Sequence, residues 1–104
     1  MTHPWTAATQ VSSEGWKFTW HDPMCQEPVT SPQVSYADKT VTVTFYSQQP
    51  KQPNCHGGIA LEQSLVKFAL PLDGRTLVDG ACSAGQPYQG SSDCLSPKAV
   101  KPMG

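Results

Sequence analysis

Hydrophobic and polar positions alternate most strictly from Lys39 to Tyr46, which reads Lys-Thr-Val-Thr-Val-Thr-Phe-Tyr. Val41, Val43 and Phe45 share one face; Thr40, Thr42, Thr44 and Tyr46 share the other. A period of two in β-branched and aromatic residues marks a strand buried on one side. This stretch is therefore expected to be the central strand. Trp16, Phe18 and Trp20 alternate with Lys17 and Thr19 and predict a second strand with an aromatic face. Three large rings on one face read as core before they read as a ligand platform. His21-Asp22-Pro23 should end that strand, because proline has no amide hydrogen for a ladder. Val34 and Tyr36 restart the alternation, and Ala37-Asp38 is a short connection, so residues 33–47 are expected to form a β-hairpin.

Ile59 to Leu70 supports two readings. Ile59, Leu61, Leu65, Val66 and Phe68 suit a helix of about three turns at the usual helical period. Against that, Val66, Phe68 and Leu70 alternate with Lys67 and Ala69, and Pro71 forbids a helix running on. The expectation is a strand over 64–70 with 59–63 as its lead-in. Asp73-Gly74 signals a turn and 75–79 a further strand, after which the chain reads as loop. Residues 1–14 show neither period and read as an arm or tether, with Trp5 and Val11 able to tuck onto a domain at 15–96. Residues 97–104 read as a tail. The pattern as a whole predicts an all-β chain: a small antiparallel β-sandwich or a partly open barrel. An immunoglobulin-like topology is compatible with five or six strands, although the Cys–Trp–Cys spacing of true immunoglobulin domains is absent.

Length changes this picture only by limiting it. At 104 residues the chain makes one domain, and it buries only roughly 60–70% of the surface its unfolded form exposes. Charged residues make up 14% and the net charge is −1, so no basic run points to nucleic acid or anionic lipid. The cysteines at 25, 55, 82 and 94 say more. An even number spread through a small, proline-rich chain suggests two disulfides and an oxidising compartment. A zinc site would need tight Cys-x2-Cys pairs, which are absent, and four unrelated thiols in a cytosolic protein are the plainer alternative. Four cysteines allow three connectivities; the expectation is Cys25–Cys55 with Cys82–Cys94, the latter closing a short loop. No secretory signal follows Met1 and no stretch reaches the ~20 apolar residues of a membrane span. An exported chain would have its signal or lipid-anchor peptide upstream, with Met1 as a non-native start.

Candidate chemistry is sparse. Cys55-His56-Gly57-Gly58 brings a thiol beside a base, but adjacent residues on an extended chain point apart and a bridged cysteine has no thiolate. His21, Met24 and His56 are candidate copper or zinc ligands without a diagnostic spacing, and Met1-Thr2-His3 would bind copper only through a native amino terminus. Asp38, Asp73 and Asp79 sit at turns or strand ends and form no facing pair of the kind a glycosidase needs. A nucleophile elbow, a phosphate-cradling glycine loop and a basic-aromatic strip are all missing. No catalytic residue, metal or cofactor is assigned. What is left is surface: the polar loops 47–58 and 82–94, proline-containing and cysteine-anchored, with Lys51, Asn54, His56, Tyr88 and Gln89 as candidate contact residues. Such loops suit recognition of a protein or small ligand, because a preformed shape costs little ordering on binding. A protease-inhibitor loop is one form this could take; loops that merely brace a thin core are another.

Val41-Thr-Val-Thr-Phe-Tyr46, then Cys55, then Leu70-Pro-Leu-Asp-Gly-Arg-Thr-Leu-Val-Asp-Gly-Ala-Cys82 resembles small secreted proteins and lipoproteins of actinobacteria. In those, a strand of the "VTVT" kind precedes a cysteine, and an "L-P-L…R-x-x-x-D-G" segment follows. The resemblance covers about the middle half of the chain and implies an exported β-domain with no catalytic residues to carry over. The sequence thus leads to an extracytoplasmic, disulfide-stabilised, non-enzymatic domain with a binding or structural role at the cell envelope. The alternatives are a protease-inhibitor-like protein and a secreted copper- or zinc-binding protein.

Overall fold

A computed structural model describes residues 2–23, 32–46, 59–86, 89–95 and 98–103, with side chains omitted at 21–23, 59–62 and 93. Eight strands follow in order: β1 (Thr2–His3), β2 (Ala7–Gln10), β3 (Gly15–Pro23), β4 (Gln33–Tyr36), β5 (Thr40–Tyr46), β6 (Ile59–Lys67), β7 (Thr76–Asp79) and β8 (Ala99–Lys101). A 3₁₀ turn at Gly80–Cys82 and a single helical turn at Ser92–Leu95 complete the described elements.

The stretch with the clearest alternation is the centre of the first sheet. β5 pairs antiparallel with β4, from Gln33↔Thr44 to Tyr36↔Val41, and this is the expected hairpin. Its other edge is shared end to end by β7, which runs parallel from Thr40↔Thr76 to Val43↔Asp79, and by β1, antiparallel at Thr2↔Tyr46 and His3↔Phe45. The second sheet has the order β6-β3-β2-β8. β3 pairs antiparallel with β6 along nine residues, from Gly15↔Lys67 to Pro23↔Ile59, and with β2 on its other side; β8 runs parallel to β2.

The inward faces of the two sheets meet in one apolar layer, so the fold is an all-β sandwich rather than a barrel. Val41, Val43, Phe45 and Leu77 of the first sheet pack against Trp16, Phe18, Trp20 and Val66 of the second. Phe45 bridges the layers, with its ring centroid 5.7 Å from Phe18 and 4.9 Å from Trp20. Tilted and edge-on rings at such distances add to the area they bury.

Three expectations are corrected and one strand end is as expected. The presumed arm at 1–14 instead supplies β1 and β2, and Trp5 is fully buried, edge-on to Phe18 at 5.1 Å. Strands of two and four residues are too short to show a period, so the pattern was invisible. The 97–104 tail likewise contributes β8. β3 ends at Pro23, within the expected His21-Asp22-Pro23 stop. β2 reaches only Thr19, so beyond it β3 has, among the described residues, a partner on one side alone, where a missing amide hydrogen is tolerated. Finally, the strand expected at 64–70 is Ile59–Lys67. Pairing with β3 sets its limits, and the chain bends away after Phe68, which stacks on Trp16 at 6.1 Å while Leu70 stays exposed.

Candidate functional site

The described part of the 82–94 loop grows out of the buried end of β7. Asp79, the last residue of that strand, turns inward beside Val43. Its Oδ1 accepts the Ala81 amide at 3.0 Å, which starts the 3₁₀ turn, and its Oδ2 accepts the Trp5 amide at 3.0 Å. Asp79 Oδ2 also lies 2.9 Å from Lys98 Nζ, with the two side chains 2% and 15% exposed. Lys98 donates in turn to the Trp5 carbonyl and sits over the Trp5 indole, 5.3 Å from its centroid. The Trp5 Nε1 hydrogen is donated to the Val43 carbonyl at 3.1 Å. A charge this deep is sustained only when paired and hydrogen-bonded, and here it is both. With two amides and an ammonium on its oxygens, Asp79 is engaged in holding the structure together.

Gly80 then lets the turn lie against β5: a Cβ at this position would stand 1.7 Å from Thr44 Oγ1 and 2.7 Å from Thr44 Cβ. Beyond it the Cys82–Cys94 disulfide closes the loop, its Cα atoms 5.5 Å apart. Inside the ring the backbone makes successive turns, Gln86 N to Ser83 O at 3.1 Å and Gln89 N to Gln86 O at 3.1 Å. Gly85 takes a left-handed φ of 84°, and its amide is donated to Gln89 Oε1 at 3.1 Å. Thr2 Oγ1 donates to Gln86 Oε1 at 3.1 Å, tying the loop to β1. Ser91 O receives the Cys94 and Leu95 amides in the helical turn. The loop is therefore held by a covalent closure, its own turns and a tether to the sheet.

The sequence-derived candidates distribute unevenly over this frame. Cys82 and Cys94 are bonded to each other as expected. Gln89 is exposed at the loop surface, where its side chain serves the loop's own backbone. Tyr88 lies outside the described residues, as do Lys51, Asn54 and His56 of the 47–58 loop, Met24, and the cysteines Cys25 and Cys55 of the other expected bridge. His21 is placed opposite Leu61 by the β3–β6 register, its side chain undescribed. Among the described residues no three His, Cys, Asp or Glu side chains gather as a metal site would require, and no helix is long and apolar enough to cross a membrane. A protease-inhibitor loop needs an extended, protruding stretch; the described part of 82–94 consists of turns and a helical turn instead.

Sequence reasoning missed Trp5 and Lys98, which complete the buried network at the base of the loop. Asp79 carried a weak local signal, since an Asp before Gly80-Ala81 reads as a cap. Lys98 carried none, being 19 residues away along the chain (98 − 79) and joined to Asp79 only by folding. A concavity of about 390 Å³ opens between the β2–β3 turn and the end of β6, lined by Val11, Glu14, Leu65 and Lys67 among others. Compared with protein-family models, with curated proteins and with solved structures, the chain matches none.

Proposed function

We propose that this protein is a non-enzymatic, extracytoplasmic domain of the cell envelope that binds a partner through its disulfide-closed 82–94 loop. The Cys82–Cys94 bridge carries this reading. A disulfide persists in an oxidising compartment and is uncommon in cytosolic proteins. The surrounding hydrogen bonds preshape a surface loop, so a partner would meet it with little ordering cost. The resemblance of the middle of the chain to secreted actinobacterial proteins points the same way. The role of Asp79 supports binding over catalysis, because this deeply buried carboxylate at the base of the loop is engaged in structural contacts.

Two measurements test the proposal. Protein recovered from an oxidising compartment is alkylated in denaturant with and without reductant and weighed intact. The expected result is no alkylation without reductant; four alkylated thiols in the unreduced protein would overturn the compartment. Separately, residues 84–91 are replaced by a glycine-serine linker with both cysteines kept. Binding to the envelope fraction of the source organism is expected to be lost, and undiminished binding would remove the loop from the proposal.

A further inference from the structure

We infer that one end of the β6-β3-β2-β8 sheet docks on an anionic lipid surface. No run of basic residues is visible along the chain, yet the register assembles a patch. Lys101 lies beside Thr9, Thr9 beside Lys17, and Lys17 beside Leu65, one outward-facing row across all four strands. At about 4.8 Å between strands the row spans roughly 15 Å. Lys67 follows two residues beyond Leu65 on the same face, diagonal to Lys17. Cross-strand neighbours on one face act as a unit even when far apart in sequence.

Among the described residues the charge of this end is positive, although the chain as a whole carries −1. Lys17 and Lys101 have no acidic partner among the described residues. Glu14 faces Lys67 at 3.6 Å, with side chains 54% and 82% exposed, a pair that water and salt screen heavily. Asp38, Asp73 and Asp79 belong to the other sheet or its connections, and Asp22 and Glu62 sit towards the opposite end of β3 and β6.

Apolar side chains are interleaved with these lysines. Leu65 is 72% exposed between Lys17 and Lys67, and Val11 lines the same concavity. Met103, also exposed, is held at this end by the hydrogen bond its backbone amide donates to Gln10 Oε1 at 2.9 Å. A soluble polyanion would use the lysines and leave these side chains in water. A membrane interface uses both, with apolar groups entering the headgroup–acyl boundary while ammonium groups meet lipid phosphates. Each lysine at such a surface strengthens partitioning about fivefold, so three give on the order of a hundredfold preference over a neutral bilayer. This face shares no residue with the 82–94 loop, so either reading can fail without the other.

The test is co-sedimentation with vesicles of phosphatidylglycerol and phosphatidylcholine in equal parts, against phosphatidylcholine alone. The intact protein should bind the anionic vesicles and lose most of that binding at about 1 M salt, where the screening length falls to about 3 Å. Lys17→Glu with Lys101→Glu should weaken binding at least tenfold, by two charge reversals at about fivefold per lysine. Leu65→Ser should weaken it severalfold without changing the salt dependence, and Lys39→Glu, in the β4–β5 turn, should change nothing. Near-ultraviolet circular dichroism verifies that each variant is folded. Equal binding to neutral vesicles, or indifference to the double lysine variant, would overturn the inference. So would binding to soluble polyphosphate with the same lysine dependence but no binding to vesicles, which would make the occupant a soluble polyanion.

Discussion

Lys98 Nζ stands 2.9 Å from Asp79 Oδ2, joining the end of β7 in one sheet to the entry of β8 in the other. Trp5 threads between them: its amide goes to Asp79, its carbonyl to Lys98, and its ring lies beneath the ammonium. Three segments far apart in sequence are thus locked at one point, and the 82–94 loop starts from it. Asp79→Ala would take the carboxylate from a largely buried ammonium and the acceptor from two amides, and is expected to cost about 3–5 kcal/mol. Lys98→Met keeps the stem and leaves the carboxylate its two amide donors, so it should cost less. In urea unfolding the double variant should be destabilised by clearly less than the sum of the singles. Strict additivity would show that the pair is not coupled.

Gly80 is expected to be intolerant of any side chain. Gly80→Ala places a Cβ 1.7 Å from Thr44 Oγ1, and the strand or turn must shift, at a cost of about 1–3 kcal/mol. Thr44→Ala removes the Oγ1 and Cγ2 contacts but keeps the Cβ at 2.7 Å, so it should rescue stability only in part. Full rescue, read from denaturant midpoints, would contradict the close backbone approach.

The Cys82–Cys94 bridge closes a span of 12 residues. In the chain-entropy model such a closure is worth about 3 kcal/mol. Replacing both cysteines by serine should therefore lower the melting temperature by roughly 12–24 °C at about 4–8 °C per kcal/mol, and reductant should do little further through this bridge. A shift of under ~2 °C would mean that the turns and the Thr2–Gln86 bond hold the loop unaided.

Removing residues 1–6 deletes β1 and Trp5, a side chain with no exposed surface. Losing a core tryptophan alone typically costs about 3–5 kcal/mol, comparable with the whole stability of a small domain. The truncated chain is expected to lose its cooperative thermal transition and near-ultraviolet signal. If it unfolds as cooperatively as the intact chain, the N-terminal segment is an arm after all.

The sequence by itself determined which residues face inward wherever a strand is long enough to show its period. Val41, Val43 and Phe45, and Trp16, Phe18 and Trp20, are core because alternation fixes sidedness before any partner is known. The β4–β5 hairpin and the short-range Cys82–Cys94 closure were legible for the same reason, since each depends on residues close in the chain. Only the tertiary structure decided the rest. Thr2–His3 and Ala99–Lys101 are strands because β5 and β2 offer them an edge, and β6 runs from Ile59 to Lys67 because β3 does. Asp79, Lys98 and Trp5 meet because β7 ends where β8 begins, across the two packed sheets. The lysine row exists only in the register of the second sheet. Pairing, burial of charge and the sum of a surface potential are all properties of contacts between distant segments, and local pattern does not encode them.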